Sequence, residues 1–227
     1  MATHAQFREY VLPNNAAESD RLDFQHILLT RTFQGSTAHH STHPNLCESW
    51  TSAAGPETGP STSRNNRSRS GGDLRCHEHL LPGGSVEIQE FCMPCKSLDE
   101  KDAATSKFIA WSNSMISVGS KIKLNLQIMN DMPDLMKNAA LQDVQEAEFR
   151  MLTGPWMEDE ENQALGRMGQ QNLLQGMYGF GETLHTKILG WSVEEYQRWV
   201  DGITKEMRED GLRTWLPVRV CYGRRNA

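Results

Sequence analysis

Four residues in the middle of the sequence carry the spacing of a structural metal site. Cys76 and His79 stand three apart, as do Cys92 and Cys95, and twelve residues separate the two pairs. Three thiolates and an imidazole so spaced suit tetrahedral zinc. Against zinc, residues 81–91 between the pairs already read as a turn and a strand. Cys92-Met93-Pro94-Cys95 as a redox dithiol would need a thioredoxin-like setting, which the surrounding sequence lacks. Other groups have plainer readings. His39, His40 and His43 lie in a polar tract and read as solvated. Met129, Met132 and Met136 read as core filler, since an unbranched thioether fits irregular gaps. Glu158-Asp159-Glu160-Glu161 precedes a helical stretch and complements the positive end of its dipole. His185 falls on a helix face, either as a base facing a cleft or as a packed imidazole. No Ser/His/Asp set stands out, and no residue is assigned a catalytic, cofactor-binding or metal-binding role.

The elements that would position these groups follow from periodicity. Residues 16–29 form an amphipathic helix with Leu22, Phe24, Ile27, Leu28 and Leu29 on its apolar side. A Pro-Gly-Gly turn at 82–84 leads into a strand over 85–91. Residues 99–118 are helical, with Ala104, Phe108, Trp111, Met115 and Val118 on one face. Residues 144–152 alternate Ala147, Phe149 and Met151 against Glu146, Glu148 and Arg150, the pattern of a strand with one buried face. A helical stretch over 160–189 keeps Leu173, Met177, Phe180, Leu184 and Ile188 in phase. Gly166, Gly169, Gly176, Gly179 and Gly181 weaken it, and the expectation is a break into two pieces. Ser192-Val193-Glu194-Glu195 is a capping box. It opens a helix with the stripe Tyr196, Trp199, Val200, Ile203 and Met207, ended by Gly211. Leu216, Val218, Val220 and Tyr222 alternate in a last strand, which Pro217 assigns to a sheet edge or to the strand's start. Strands alternating with helices give an α/β class.

Composition removes several functions. The 227 residues carry 23 Lys and Arg against 29 Asp and Glu, a formal charge of −6, and the pI is about 5.8. Phosphate affinity needs a basic face, so nucleic acid is not an expected partner. No run of roughly 18 apolar residues exists to cross a membrane, and residues 1–10 lack the pattern of a secretory signal. Five cysteines, an odd number, read as intracellular thiols rather than a secreted disulfide framework. Together these place the protein in the cytoplasm, with the nucleus as the alternative. Mean hydropathy is −0.60, low for a packed domain, and the deficit is concentrated in residues 35–72. There the only aliphatic residue larger than alanine, prolines aside, is Leu46. Such a stretch buries too little apolar area to offset chain entropy, so it reads as disordered.

Leu81-Pro82-Gly83-Gly84-Ser85-Val86-Glu87-Ile88-Gln89-Glu90-Phe91 resembles the turn and fifth strand of class I S-adenosylmethionine-dependent methyltransferases. Further blocks narrow the resemblance to the fungal LaeA-like and TAM-type methyltransferases, a group tied to secondary metabolism. These blocks are Arg21-Leu22-Asp23-Phe24-Gln25-His26, Thr153-Gly154-Pro155-Trp156, Asn172-Leu173-Leu174-Gln175-Gly176 with Gly179-Phe180, Leu189-Gly190-Trp191-Ser192-Val193-Glu194-Glu195, and Leu216-Pro217-Val218-Arg219-Val220-Cys221-Tyr222-Gly223-Arg224. The resemblance covers residues 18–35 and 81–225. It implies the C-terminal part of a Rossmann-like fold, S-adenosyl-L-methionine as cofactor, and a small-molecule methyl acceptor. It also implies a helical lid over the acceptor, formed by residues 160–211.

The resemblance breaks where the cofactor should be held. That family follows its first strand with a glycine-rich loop, whose backbone approaches the cofactor closely, and ends its second strand with a ribose-binding acid. Neither can be read in residues 35–72, and the 17 residues 64–80 cannot hold strands two to four. The chain therefore divides into an N-terminal helical segment (1–34), a disordered or out-of-frame region (35–80) and the C-terminal half of a methyltransferase domain (81–227), with strands one to four missing. Shifting the reading frame accounts for the gap. When the last base of each codon of residues 48–58 is joined to the first two of the next, permitted synonymous bases spell Val-Leu-Asp-Val-Gly-Cys-Gly-Thr-Gly-Asn-Trp. That is the absent loop. Two functional readings follow: an S-adenosylmethionine-dependent methyltransferase of secondary metabolism, or a truncated, inactive relative acting as a regulator or interaction protein. Loss of strands one to four would also leave an edge of strand 85–91 unpaired, which invites aggregation.

Overall fold

The computed structural model describes residues 16–33, 50–51, 80–209 and 211–226. In chain order they form α1 (Ala16–Phe33), β1 (Trp50–Thr51), β2 (Ser85–Phe91), β3 (Lys96–Ser97), α2 (Glu100–Thr105), α3 (Lys107–Lys121), a 3-10 turn (Ile128–Asn130), α4 (Met132–Asn138), β4 (Gln142–Leu152), α5 (Glu160–Gly176), a π-turn (Met177–Gly181), α6 (Glu182–Leu189), α7 (Val193–Glu209) and β5 (Thr214–Arg224). Apart from Trp50 and Thr51, residues 34–79 lie outside the described residues, and with them the tract expected to be disordered. At those two positions the expectation of no regular structure is corrected: they pair parallel with Ile88 and Gln89 of β2.

β5 organises the sheet. Along one side it pairs antiparallel with β2, from Ser85 opposite Arg224 to Phe91 opposite Val218. Along the other it pairs antiparallel with β4, from Gln142 opposite Arg224 to Leu152 opposite Trp215. The last two long strands, β4 and β5, are thus antiparallel neighbours. Pro217, however, sits in a central strand rather than at an edge. The reason lies in its neighbour: β2 ends opposite Val218, and β3 resumes opposite Trp215. The missing N–H of Pro217 thus faces Cys92, just past the end of β2, so the forfeited rung is the last of that ladder, while the Pro217 carbonyl still accepts from Cys92 N at 2.9 Å.

The strands alternate as their sequences require, and each face of the sheet carries its own apolar cluster. On one face Leu216 and Val218 of β5 and Met151 of β4 pack with α1, α3, α5, α6 and α7. On the other, Val86 and Cys221 pack with Met129, Met132, Met136 and Leu141 from the 3-10 turn, α4 and its exit. The three methionines are core filler, as expected. In α1, Leu28, Leu29 and Phe33 enter the core, while Ile27 is half exposed and turns outward.

Helix ends follow local chemistry. The stretch expected as one helix from 99 to 118 is two, because Ser106 caps α3 by accepting from Ile109 N at 3.2 Å. Glu206 of α7 completes that cap, its two carboxylate oxygens accepting from Lys107 N (3.0 Å) and Phe108 N (2.9 Å). This carboxylate satisfies two otherwise unpaired donors and complements the helix dipole. Glu206→Ala is expected to cost about 1–2 kcal/mol, read as a shift in urea midpoint without a change in slope. Asp159 caps α5 through Asn162 N at 2.8 Å. The capping box of α7 forms reciprocally, with Ser192 and Glu195 bonded both ways at 3.1 Å.

The glycines of α5 do not break it. Gly166 lies directly against the carbonyl of Gly154, and Gly169 against that of Leu152, so closely that a Cβ at either position would overlap the oxygen. The helix runs through both, and the expected division into two pieces comes at the π-turn, which holds Gly179 and Gly181 between α5 and α6.

Candidate functional site

Three strand ends meet along one rim of the sheet. β2 and β4 both run antiparallel to β5, so they finish toward the end of the sheet where β5 starts, Phe91 opposite Val218 and Leu152 opposite Trp215. Ligands of open α/β sheets bind outside the carboxyl ends of their parallel strands, which makes this rim the place to look. The excursion from α5 to α7 leaves the sheet here and returns here. Its neck is closed by the buried hydroxyls of Thr153 and Thr214, 2.6 Å apart, and Trp156 Nε1 donates to Thr214 O at 2.9 Å. Thr153-Gly154-Pro155-Trp156 is therefore a packing element. The helices beyond it are packed onto the sheet, with Leu173, Leu174, Met177, Leu184, Val200 and Ile203 all in the core.

S-adenosylmethionine needs a backbone turn it can approach and a carboxylate for its ribose. Gly83 and Gly84 precede β2 and lie at the opposite rim. Gly154 follows β4 at the correct rim, but α5 fills the space beside it. Asp99, near the start of β5, is held in a two-pronged pair by Arg213, with Nη2 at 2.8 and 2.9 Å and Nε at 3.2 Å. The described residues do not fit the cofactor.

The sequence-suggested thiols separate. Cys92 belongs to the cluster on one face of the sheet and Cys95 to the cluster on the other. Cys92 Sγ donates to Asn130 Oδ1 at 3.6 Å. Burial pushes the Cys95 thiol up to about 12 and that of Cys221 up to about 11, so both stay protonated and unreactive. Cys76, His79, His39, His40 and His43 lie outside the described residues, and among the described residues no three His, Cys, Asp or Glu side chains converge to hold a metal.

His185 is packed. It is fully buried, with Tyr196, Trp191 and Trp199 around it at ring separations of 4.8, 5.5 and 5.6 Å. Its Nδ1 lies 2.8 Å from Gly181 O, and a carbonyl only accepts, so Nδ1 carries the proton. Nε2 faces Ser114 Oγ at 2.8 Å. Nucleophile, base and orienting acceptor are thus aligned, yet Ser114 sits in mid-helix, where neighbouring backbone N–H groups are spent within the helix and cannot hold an oxyanion. Burial lowers the imidazole's affinity for a proton, partly offset by its bond to Gly181.

Beside it, Trp111 Nε1 donates to Tyr196 Oη at 3.1 Å, and that hydroxyl donates to Met177 O at 3.0 Å. At the α1–α5 junction, Arg21 donates to Gln25 (2.8 Å) and to buried Asn172 (3.3 Å), and its guanidinium stands 5.6 Å from the Phe180 ring centre. Two sequence blocks about 150 residues apart therefore meet here. Sequence reasoning missed Ser114 altogether and gave Asn172 only as part of a block, with nothing local to signal its partner Arg21. Tyr196 did give a signal, since a phenol in an apolar stripe must find one.

No helix among the described residues is long and apolar enough to cross a membrane. No protein-family model matches the chain. It is 26% identical over 148 residues to the probable methyltransferase tdiE of Emericella nidulans, covering 65% of this chain and 47% of that protein. It is 27% identical over 137 residues to the methyltransferase pytC of Aspergillus terreus, covering 60% and 42%. The chain thus spans under half the length of the curated relatives it matches. A solved Haemonchus contortus phosphoethanolamine N-methyltransferase 2, bound to phosphomonomethylethanolamine and S-adenosylhomocysteine, matches at 13% identity. Its TM-score is 0.31, over 67% of this chain and 29% of that one, and at that score the likeness bears on neither fold nor chemistry. By resemblance in sequence the chain is methyltransferase-like.

Proposed function

We propose that this chain is the C-terminal half of an S-adenosylmethionine-dependent methyltransferase of fungal secondary metabolism, of the LaeA-like or TAM type, acting on a small molecule. The observation that carries this reading is the match to two fungal methyltransferases over 137–148 residues, less than half of either. In this reading residues 1–34 are the leading helix, 35–80 hold the cofactor loop out of frame, and 81–227 are the closing half of the domain. The helices of 160–211 face the acceptor. Orienting the acceptor against the sulfonium methyl would supply much of the rate.

A second reading is favoured for the polypeptide as translated. Asp99 is committed to Arg213 and Gly154 is covered by α5, which supports a form that no longer binds cofactor and acts, if at all, through protein contacts. Calorimetry with S-adenosylmethionine tests both. The chain as written is expected to give no binding heat and no methyl transfer. A version with the frame restored and strands one to four supplied is expected to bind at micromolar concentration. Micromolar binding by the unaltered chain would refute the out-of-frame reading.

A further inference from the structure

His185 occupies a position in which a proton has a seat but, among the described residues, its charge has no counterion. The proton's seat is Ser114: its Oγ lies 2.8 Å from Nε2, while its own hydrogen has Trp111 O at 2.9 Å. Ser114 can therefore donate to the neutral ring or accept from the charged one. The charge fares worse. Around the ring, α3 presents Ser114 and Trp111, neither titratable. From α7 comes Tyr196, whose hydroxyl is committed to Met177 O, and Trp199. Further along α7, Glu195 is held by Ser192 N and Arg198 by Glu194 O. On α6 itself, Glu182 is bonded to Gln197 at 3.0 Å, and Lys187 is exposed. Among the described residues, what acts on the ring's proton affinity is burial, which lowers it, and the Gly181 carbonyl, which raises it. The aromatic rings offer cation–π attraction, but this is smaller than the cost of an unpaired buried charge.

The same ring is a mechanical fastening. Through Nδ1 it holds Gly181, the last residue of the π-turn, and through Nε2 it holds α3. Trp191, which follows α6 and donates its backbone N–H to His185 O at 3.3 Å, closes over it with part of its surface in solvent. We propose that His185 is a proton-operated latch, fastening the π-turn and α6 to α3 when neutral and releasing α6 with Trp191 when protonated. The latch stands independently of any methyl transfer. Its sign is fixed by linkage: the unfolded chain takes the proton near the ordinary value of 6.5, the folded one only below it. Stability contributed by the neutral ring is therefore complete above that value and declines as pH falls through the window beneath it.

The test follows tryptophan emission of the full chain from pH 8 to pH 5, alongside far-ultraviolet circular dichroism and the His185 ring resonance by NMR. A reversible emission change with a midpoint below 6.5 is expected, tracking the resonance while helical signal persists. His185→Gln is expected to hold the high-pH spectrum throughout. Ser114→Ala, which removes the neutral ring's fastening to α3, is expected to raise the midpoint toward 6.5. The proposal is overturned if His185→Gln keeps the transition, if Ser114→Ala leaves the midpoint unmoved, or if the wild-type ring stays neutral until helical signal is lost. Should His185→Gln not fold, the wild-type resonance and Ser114→Ala still decide.

Discussion

Gly169→Ala is expected to destabilise the protein by about 2–3 kcal/mol, although alanine is the better helix former. In an exposed helix interior the same change stabilises by about 1 kcal/mol. Here the added methyl would overlap Leu152 O at the end of β4. That oxygen belongs to backbone and cannot rotate aside, so α5 must lift off the strand that anchors it. Leu173 and Leu174, two buried residues one turn on, would be carried with it. Gly202→Ala on α7 is the control. Its methyl would meet only the flexible tail of Lys107, with Nζ at 3.3 Å, and a stabilisation of about 0.5–1 kcal/mol is expected. Urea denaturation reads both. Equal signs for the two variants would mean that the close approach of α5 to β4 carries no energy.

Tyr196→Phe is expected to cost about 2–3 kcal/mol through the loss of one oxygen. That hydroxyl accepts from Trp111 Nε1 and donates to Met177 O, and both partners are completely buried. Met177 O keeps a second donor in Glu182 N across the π-turn, so the indole N–H is the group left stranded. Tyr178→Phe, one residue into the same turn, removes a hydroxyl bonded to Asp201 at 2.8 Å on a half-exposed side chain. Water replaces that partner, and a change within about 0.5 kcal/mol is expected. Guanidinium melts of the two variants should therefore separate clearly. Similar midpoints would show that burial of the Trp111–Tyr196–Met177 chain does not set its worth.

What the sequence made legible was local. β2 lies where a Pro-Gly-Gly turn and alternation put it, and α7 begins at its capping box. β4 and β5 follow from alternating apolar residues, because a strand face needs no distant information. Legibility failed where a remote backbone decided the outcome. Gly166 and Gly169 read as helix weakeners because nothing in the sequence reveals the carbonyls of Gly154 and Leu152 beneath them. Pro217 read as marking a sheet edge or a strand's start because the gap in its neighbouring strand arises far earlier in the chain, at Cys92–Cys95. The break at Ser106 was hidden because the apolar stripe continues in phase, from Phe108 to Val118, after the cap. The rim was legible only as an absence, since the expected glycine-rich loop is not spelled in frame. The pairing of Ser114 with His185 joins residues 71 apart, and no periodicity encodes it.

The hydroxyl contact between Thr153 and Thr214 makes the polypeptide between them topologically a cassette. Its two ends touch, so a tight hairpin could close β4 onto β5 without altering the register of the sheet, and lengthening the excursion would add little closure entropy. What cannot be dispensed with is the roof: without it Met151, Leu216 and Val218 would keep only α1 and α3 over them. A shorter descendant of this chain must therefore trade helices for another apolar cover, whereas a longer one can grow at the exposed Gly190 turn between α6 and α7 at almost no cost to the sheet.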